Sequence, residues 1–454
     1  MDEIEDDQVS IKTSKNGISV IATIFMISNA ALGAGLLNFP FAYDEAGGVP
    51  VSIFLQTLLL IPACLSMIVL GYYAKKYNTS SYESTVGVVC GRYYMFIAIV
   101  CLITYIFFCC ITYLIIIGDQ FDQVVLYISP KSTKVWYESR NFLIAISSIT
   151  VILPLCLFKN IGFLRYSSFV GLISIIYIVV YIVVGYFIFP LDPGPIKVKP
   201  DRFSDIFLVV PTICFGYQAH VSVIPIMSSM KDKDDLKKFA ASALTAILTC
   251  MVVYSATGIF GYWSFGSKIL PDIIDNYVPP DTALIVGTGL IGLKMMTTYP
   301  VLSFCGRLSV FSLLKEVLSN EKYEMLASSN LFFYGFTLLW FSSTLVFAIF
   351  IPDITVVISF LGGLAALFSY SGPGLLIYCE CIGVVKEARK ISSNPEDDDQ
   401  VSLVSSSNSD QDNHGPVRLD KKFYAKLCLG IFLITFGIFG WALNTAQTVE
   451  RVIK

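Results

Sequence analysis

Charge is what this chain of 454 residues is short of: Asp, Glu, Lys and Arg together make up 14% of it, against roughly 25% in an average soluble protein. Hydrophobic residues make up 55%, and the mean hydropathy is +0.70. So little polar surface could not coat the two or three soluble domains that the length suggests, which excludes a soluble enzyme, a disordered chain and a secreted disulfide scaffold. The net charge is only −3 and the basic residues are scattered. No stripe exists to follow a nucleic-acid backbone, so nucleic acid is not a partner. Histidine is scarcer still, with 2 residues, and neither HExxH nor GxSxG occurs, so enzyme chemistry and a resident cofactor find little support. Gly118-Asp119 matches part of an intramembrane aspartyl-protease motif, but Ile116 stands where the first glycine belongs and Asp119 is expected at a helix end.

What the sequence does have is long apolar runs. Charge-free windows cover Asn16 to Tyr43, Ala46 to Ala74, Tyr93 to Gly118, Asn141 to Phe158, Tyr166 to Leu191 and Ile206 to Met230. Further ones cover Phe239 to Ser267, Met325 to Pro352, Ile354 to Cys379 and Leu427 to Val449, and Thr282 to Gly306 holds one charge, Lys294. Each is near or above the about 20 residues a helix needs to cross a bilayer, and continuous apolarity favours helices over lipid-facing strands. The expected fold is therefore an all-α integral membrane protein with eleven spans. Of the basic residues outside the windows, 21 fall on the side where the chain starts and 9 on the other, which places the amino terminus in the cytosol.

Met1 to Asp7 is acidic, so no cleavable signal peptide is expected and the first helix serves as the targeting signal. On this topology none of the 12 cysteines lies in a non-cytosolic loop, and the sequon Asn78-Thr79-Ser80 is cytosolic and unused. Residues 1–17 read as a cytosolic tail and 380–422, rich in Ser, Asn and Asp, as a disordered cytosolic linker. Between and after them lie two five-helix units, 18–190 and 203–379, and, over 423–454, an eleventh helix with a short luminal or extracellular tail. Tyr323-Glu-Met-Leu has the form of a tyrosine-based motif for cytosolic sorting machinery.

Within the spans, the informative places are those where a helix should break. The first span carries Asn29, Gly33 and Gly35 near its middle and Pro40 toward its far end. Glycine weakens helix and permits close backbone approach, so the segment reads as an unwound binding element; the alternative is a small-residue packing face that includes Ala30 and Ala34. The sixth span repeats the pattern with Pro211, Gly216, Gln218 and His220. Spans one and six run in opposite directions, as the first members of two inverted five-helix repeats would, giving five plus five plus one. A helix broken in mid-membrane offers free N–H groups to a carboxylate on one side and free carbonyls to an ammonium or a cation on the other, and an amino acid carries both charges.

At these residues a resemblance becomes specific. Ser28-Asn-Ala-Ala-Leu-Gly-Ala-Gly-Leu-Leu-Asn-Phe-Pro40, Ile115-Ile-Ile-Gly-Asp-Gln120, Pro211-Thr-Ile-Cys-Phe-Gly216, Tyr299-Pro-Val-Leu-Ser-Phe-Cys-Gly-Arg307, Phe350-Ile-Pro-Asp-Ile354 and Leu361-Gly-Gly-Leu-Ala-Ala366 resemble the sodium-coupled neutral amino-acid transporter family, part of the amino acid/auxin permease superfamily. The similarity spans all eleven windows and fails in the termini and the linker. It implies an eleven-helix inverted-repeat fold, a role for Asn29 in substrate and sodium binding, and a place for Thr298 at a sodium site. It also implies glutamine or asparagine as substrate and the lysosomal membrane as location, with the plasma membrane as the alternative.

The expected mechanism is secondary active transport of a small neutral amino acid by alternating access, coupled to sodium or protons. The substrate carboxylate is expected on the amides near Gly33, Ala34 and Gly35, and its ammonium near the carbonyls of Phe215, Gly216 and Tyr217. Asn29 would supply selectivity, because a hydrogen-bonding group matched to the substrate rejects analogues that leave it unpaired. The coupling ion is expected between carbonyls around Ser28 to Ala31 and the hydroxyls of Thr297 and Thr298, oxygen ligands of the kind a hard cation needs. Lys294, thirteenth in its window of twenty-five, is a coupling or gating candidate whose ammonium occupies or replaces the ion, making transport sodium-independent or proton-linked, or else it bonds to nearby carbonyls for packing alone. His220 is either a proton-coupling or gating group or a hydrogen-bonded packing residue. A membrane amino-acid sensor and a membrane-embedded enzyme are the rival functions.

Overall fold

The computed structural model describes residues 18–128, 136–158, 167–189, 192–231, 235–351, 354–393 and 421–453. Among them, nine helices are long and apolar enough to cross a bilayer, one bent pair joins them, and one further apolar helix is shorter. In chain order these are α1, the pair Val20–Ala31 and Ala34–Glu45 bent by 56°; α2, Val49–Tyr77; α3, Arg92–Ile128; and α4, the shorter helix Arg140–Cys156. Then come α5, Val170–Ile188; α6, Phe203–Ser228; α7, Leu236–Lys268; and α8, Thr282–Val317. The last three are α9, Asn330–Phe350; α10, Ile354–Lys386; and α11, Lys421–Val449. Every one of the eleven apolar windows is thus helical, although α4 falls below the length of a full span and contains a π-helical stretch, Ser148–Ile152.

Polar residues set where these helices start. Ser19 accepts from the Ala22 N–H, Asp235 from Lys237 and Lys238, Asp281 from Leu284 and Ser329 from Phe332, each satisfying donors that a helix start leaves free. Helix α3 passes through Asp119 and runs on to Ile128, so Asp119 is not the helix end that the sequence suggested. The reason is tertiary: the guanidinium of Arg140 from α4 donates through Nε to Asp119 Oδ1 at 2.7 Å. Beyond α10 the chain stays helical to Ser393, and it is helical again from Lys421, so both ends of the segment read as a linker are helix. The remaining 394–420 and the tail 1–17 lie outside the described residues, as do Pro352 and Asp353.

Two sets of five helices, each opening with an interrupted one, precede α11. The interrupted helices are tied together at both ends. Where α1 begins, the Ile18 N–H donates to the Ser229 carbonyl at 2.9 Å and the Lys231 N–H to the Ile18 carbonyl at 3.0 Å. At the opposite face, Asn38 Nδ2 donates to the Pro271 carbonyl at 2.9 Å, and Thr212 Oγ1 of α6 donates to Asn38 Oδ1 at 3.1 Å. Pro271 belongs to the α7–α8 connection, which also buries Asp272. Burial, then the carboxylates of Asp275 and Asp119, push the Asp272 carboxyl well above its ordinary value.

Candidate functional site

The first half of α1 ends at Ala31 and the second begins at Ala34, with Leu32 and Gly33 between them. Four N–H groups at a helix start and four carbonyls at a helix end lack intrahelical partners, so the break brings both kinds of backbone group to mid-bundle. Helix α6 is interrupted in the same way. Val210–Gly216 and His220–Ser228 are separated by Tyr217, Gln218 and Ala219. The two breaks meet directly. A Cβ on Gly35 would lie 2.9 Å from the Phe215 ring, so only glycine lets α6 approach this closely.

One hydroxyl connects them. Tyr254 Oη of α7 lies 2.8 Å from the Ala31 carbonyl and 3.1 Å from the Gly216 carbonyl, within donating distance of the last carbonyls on either side. Its ring stacks on Phe39 at 4.3 Å with an interplanar angle of 10°, and both side chains are fully buried.

Asn29, one turn before the α1 break, has a buried Oδ1 that makes no hydrogen bond among the described residues. Lys294 approaches the same break from α8. It is 5% exposed, and its Nζ donates to the Leu32 carbonyl at 2.7 Å. Thr297 and Thr298 follow on the same face, and both hydroxyls turn back to their own helix: Thr298 Oγ1 donates to the Lys294 carbonyl at 2.7 Å, and Thr297 Oγ1 reaches the Leu293 carbonyl at 2.9 Å. Ser28 Oγ points to the Ala246 carbonyl at 3.5 Å.

At the α6 break the polar groups satisfy one another. His220 Nδ1 lies 3.1 Å from Gln218 Oε1, and His220 Nε2 lies 2.7 Å from Ser66 Oγ of α2. Ser369 of α10 also donates to Gln218 Oε1, from a π-helical turn, Leu367–Ser371. With Nδ1 protonated, Gln218 accepts from both neighbours, and Ser66 Oγ, which also lies 2.9 Å from the Ala63 carbonyl, divides its one proton between that carbonyl and Nε2.

The structure therefore brings Ala31, Gly216 and Phe215 together with Gly35, and Lys294 together with the α1 break, while His220 stands in a separate network. Tyr254, Leu32, Ser66 and Ser369 were not singled out from sequence. Apolar helices carry many tyrosines and serines, and nothing in their spacing marks the few that reach a break. A cavity of about 270 Å³ between α5 and α8, lined by Tyr177, Tyr181 and Phe189, does not include either break.

Comparison with known proteins accords with this geometry. Residues 16–392 match the model of the family described as transmembrane amino acid transporter protein. The chain is 38% identical over 371 residues to sodium-coupled neutral amino acid transporter 7 of Danio rerio, covering 80% of this chain and 79% of that protein. To the protein of the same name in Mus musculus it is 34% identical over 446 residues, covering 95% and 88%. Among solved structures, the inward-facing conformation of Mhp1 superposes with a TM-score of 0.55 at 13% identity, over 96% of this chain and 92% of that one; the likeness is one of fold. By the family match, the chain, whose described residues hold eleven apolar helical segments with two of them broken against each other in mid-bundle, belongs to the transmembrane amino acid transporter family.

Proposed function

We propose that the chain carries a small neutral amino acid, glutamine or asparagine, across a membrane by alternating access at the two meeting breaks. The observation that carries this reading is the buried, unpartnered Oδ1 of Asn29 beside the α1 break. A buried acceptor left unmade costs about 1–3 kcal/mol, and a substrate amide N–H that completes it recovers that cost only in the loaded protein. The N–H groups at the start of the second half of α1, around Gly33, Ala34 and Gly35, take the substrate carboxylate, and the carbonyls of Phe215, Gly216 and Tyr217 take its ammonium. Tyr254, which bridges the two carbonyl ends, releases one of them to do so.

The names of the relatives support a neutral substrate and a sodium-coupled cycle. Coupling to a sodium or proton gradient acts between the Ser28–Ala31 turn of α1 and the Lys294–Thr298 face of α8. His220 holds the α6 break in register. The charge bias favours a cytosolic amino terminus, and the family resemblance a lysosomal membrane.

Flux of radiolabelled glutamine into proteoliposomes holding the purified chain tests the reading. Saturable, gradient-driven uptake is expected. Chemical conversion without flux would make the protein an enzyme, and saturable binding without flux would make it a sensor.

A further inference from the structure

Lys294 is the one charged residue inside the eleven apolar windows, and its surroundings are specific. It lies twelve residues into α8, which begins at Thr282 and ends at Val317. At about 1.5 Å of rise per residue it sits about 18 Å from the nearer helix end, too far for the side chain to reach either surface. Among the described residues no ion pair includes it. Instead its Nζ donates to the Leu32 carbonyl, which the α1 break deprives of an intrahelical partner. Gly171 of α5 makes room for the stem: a Cβ there would lie 3.2 Å from Lys294 Cε and 3.3 Å from Cδ.

Carbonyl ends of broken helices carry partial negative charge, and in secondary transporters such ends hold the coupling cation. Here each neighbouring oxygen makes a hydrogen bond inside the protein. The Ala31 carbonyl lies against Tyr254 Oη, the Ser28 carbonyl accepts the Leu32 N–H at 2.8 Å, and the Thr297 and Thr298 hydroxyls donate to carbonyls of their own helix. The carbonyl that the α1 break leaves without an intrahelical partner is taken by an ammonium that the chain itself supplies.

Resting on the transport function proposed above, we infer that the Lys294 ammonium is a tethered cation that stands in for sodium at the α1 break. Its bond to Leu32 joins the first half of α1 to α8, and breaking that bond frees this half to move during alternating access. Transport by this chain then needs no sodium. Removing the ammonium leaves the Leu32 carbonyl without its partner, and the hydroxyls of Thr297 and Thr298, one turn along α8 from position 294, keep oxygen lone pairs after donating to their own helix, hard oxygen ligands of the kind sodium takes.

The test compares wild type, Lys294→Ala and Lys294→Arg in two readouts. The first is glutamine flux in proteoliposomes in sodium or choline medium. Wild type and Lys294→Arg are expected to be indifferent to the exchange, whereas sodium should raise flux through Lys294→Ala by about fivefold or more, the scale of a typical coupling between sites. The second readout needs no transport: sodium alone should raise the melting temperature of detergent-solubilised Lys294→Ala and leave wild type unchanged. Wild-type flux that collapses in choline overturns the inference while leaving the transport function intact. Equal sodium responses in wild type and Lys294→Ala, by melting temperature, overturn it as well. A wild type that carries no amino acid strikes the transport function instead, and the melting comparison still decides the role of Lys294.

Discussion

The two broken helices meet at mid-bundle but differ in how their polar groups are used. At the α6 break, Gln218, His220, Ser66 and Ser369 complete one another's hydrogen bonds, drawing on α2, α6 and α10. At the α1 break, Asn29 Oδ1 is buried with no hydrogen-bond partner among the described residues, and a backbone carbonyl carries the Lys294 ammonium. A closed polar network fixes geometry, and an unfinished one leaves a site for a ligand to finish. On the proposed transport reading, the difference makes α6 the wall of the site and α1 its responsive half. Packing agrees with that division, since the Val210–Gly216 turn of α6 is buried throughout whereas Asn29 is only half-buried.

The largest effect that would sharpen this contrast is on transport. Asn29→Ala is expected to lower glutamine flux per folded molecule by about tenfold or more, because the acceptor proposed to discriminate substrate is lost, with little change in membrane abundance. Unchanged kinetics in that variant would remove α1 from substrate recognition. Second comes the mirror experiment on α6. His220→Ala removes two hydrogen bonds, leaving Gln218 with Ser369 and Ser66 with the Ala63 carbonyl, and should destabilise the protein by about 1–3 kcal/mol, read as a lower melting temperature in detergent, while flux per folded molecule falls less than in Asn29→Ala. If His220→Ala abolished flux at an unchanged melting temperature, the wall assignment would be wrong. Tyr254→Phe, third, removes the hydroxyl that spans both breaks while keeping the ring on Phe39. A rise of about fivefold in glutamine affinity is expected, the value of about one hydrogen bond, because the carbonyl that Tyr254 must release is already free; it is measured by substrate-dependent thermal shift, and a fall would mean that the hydroxyl binds substrate itself.

The smallest expected effect concerns the loop that closes the far face over Asn38. The raised Asp272 carboxyl is surrounded by Asp275, with Asp119 also acting on it, while Asp122 and Arg140 act on Asp275. A carboxyl whose folded value lies above its unfolded value of about 3.9 favours the folded state at low pH, and that contribution is lost as pH rises through the folded value. The melting temperature should therefore decline as pH rises above the ordinary carboxylate range. Asp272→Asn keeps the acceptor that binds the Ile274 N–H at 2.9 Å and should flatten the decline. An identical pH profile in that variant would place the sensitivity elsewhere.

The sequence by itself determined the fold class, the eleven apolar helices and the two places where a helix gives way, because each of these depends on local composition. A run without charge must be buried in lipid or protein, and Gly33 or Gly35 weakens helix wherever it stands. It also singled out Asn29, Lys294 and His220, since a polar group in an apolar run is conspicuous without any structure. Only the tertiary structure decided what each of them touches. Lys294 meets Leu32, 262 residues earlier, and His220 meets Ser66, 154 residues earlier. The Arg140 guanidinium lets α3 pass through Asp119 as an unbroken helix. Nothing local marks Tyr254 as the hydroxyl that spans both breaks, for the partners of a buried polar group are chosen by how helices pack, and packing brings together residues that sequence spacing keeps far apart.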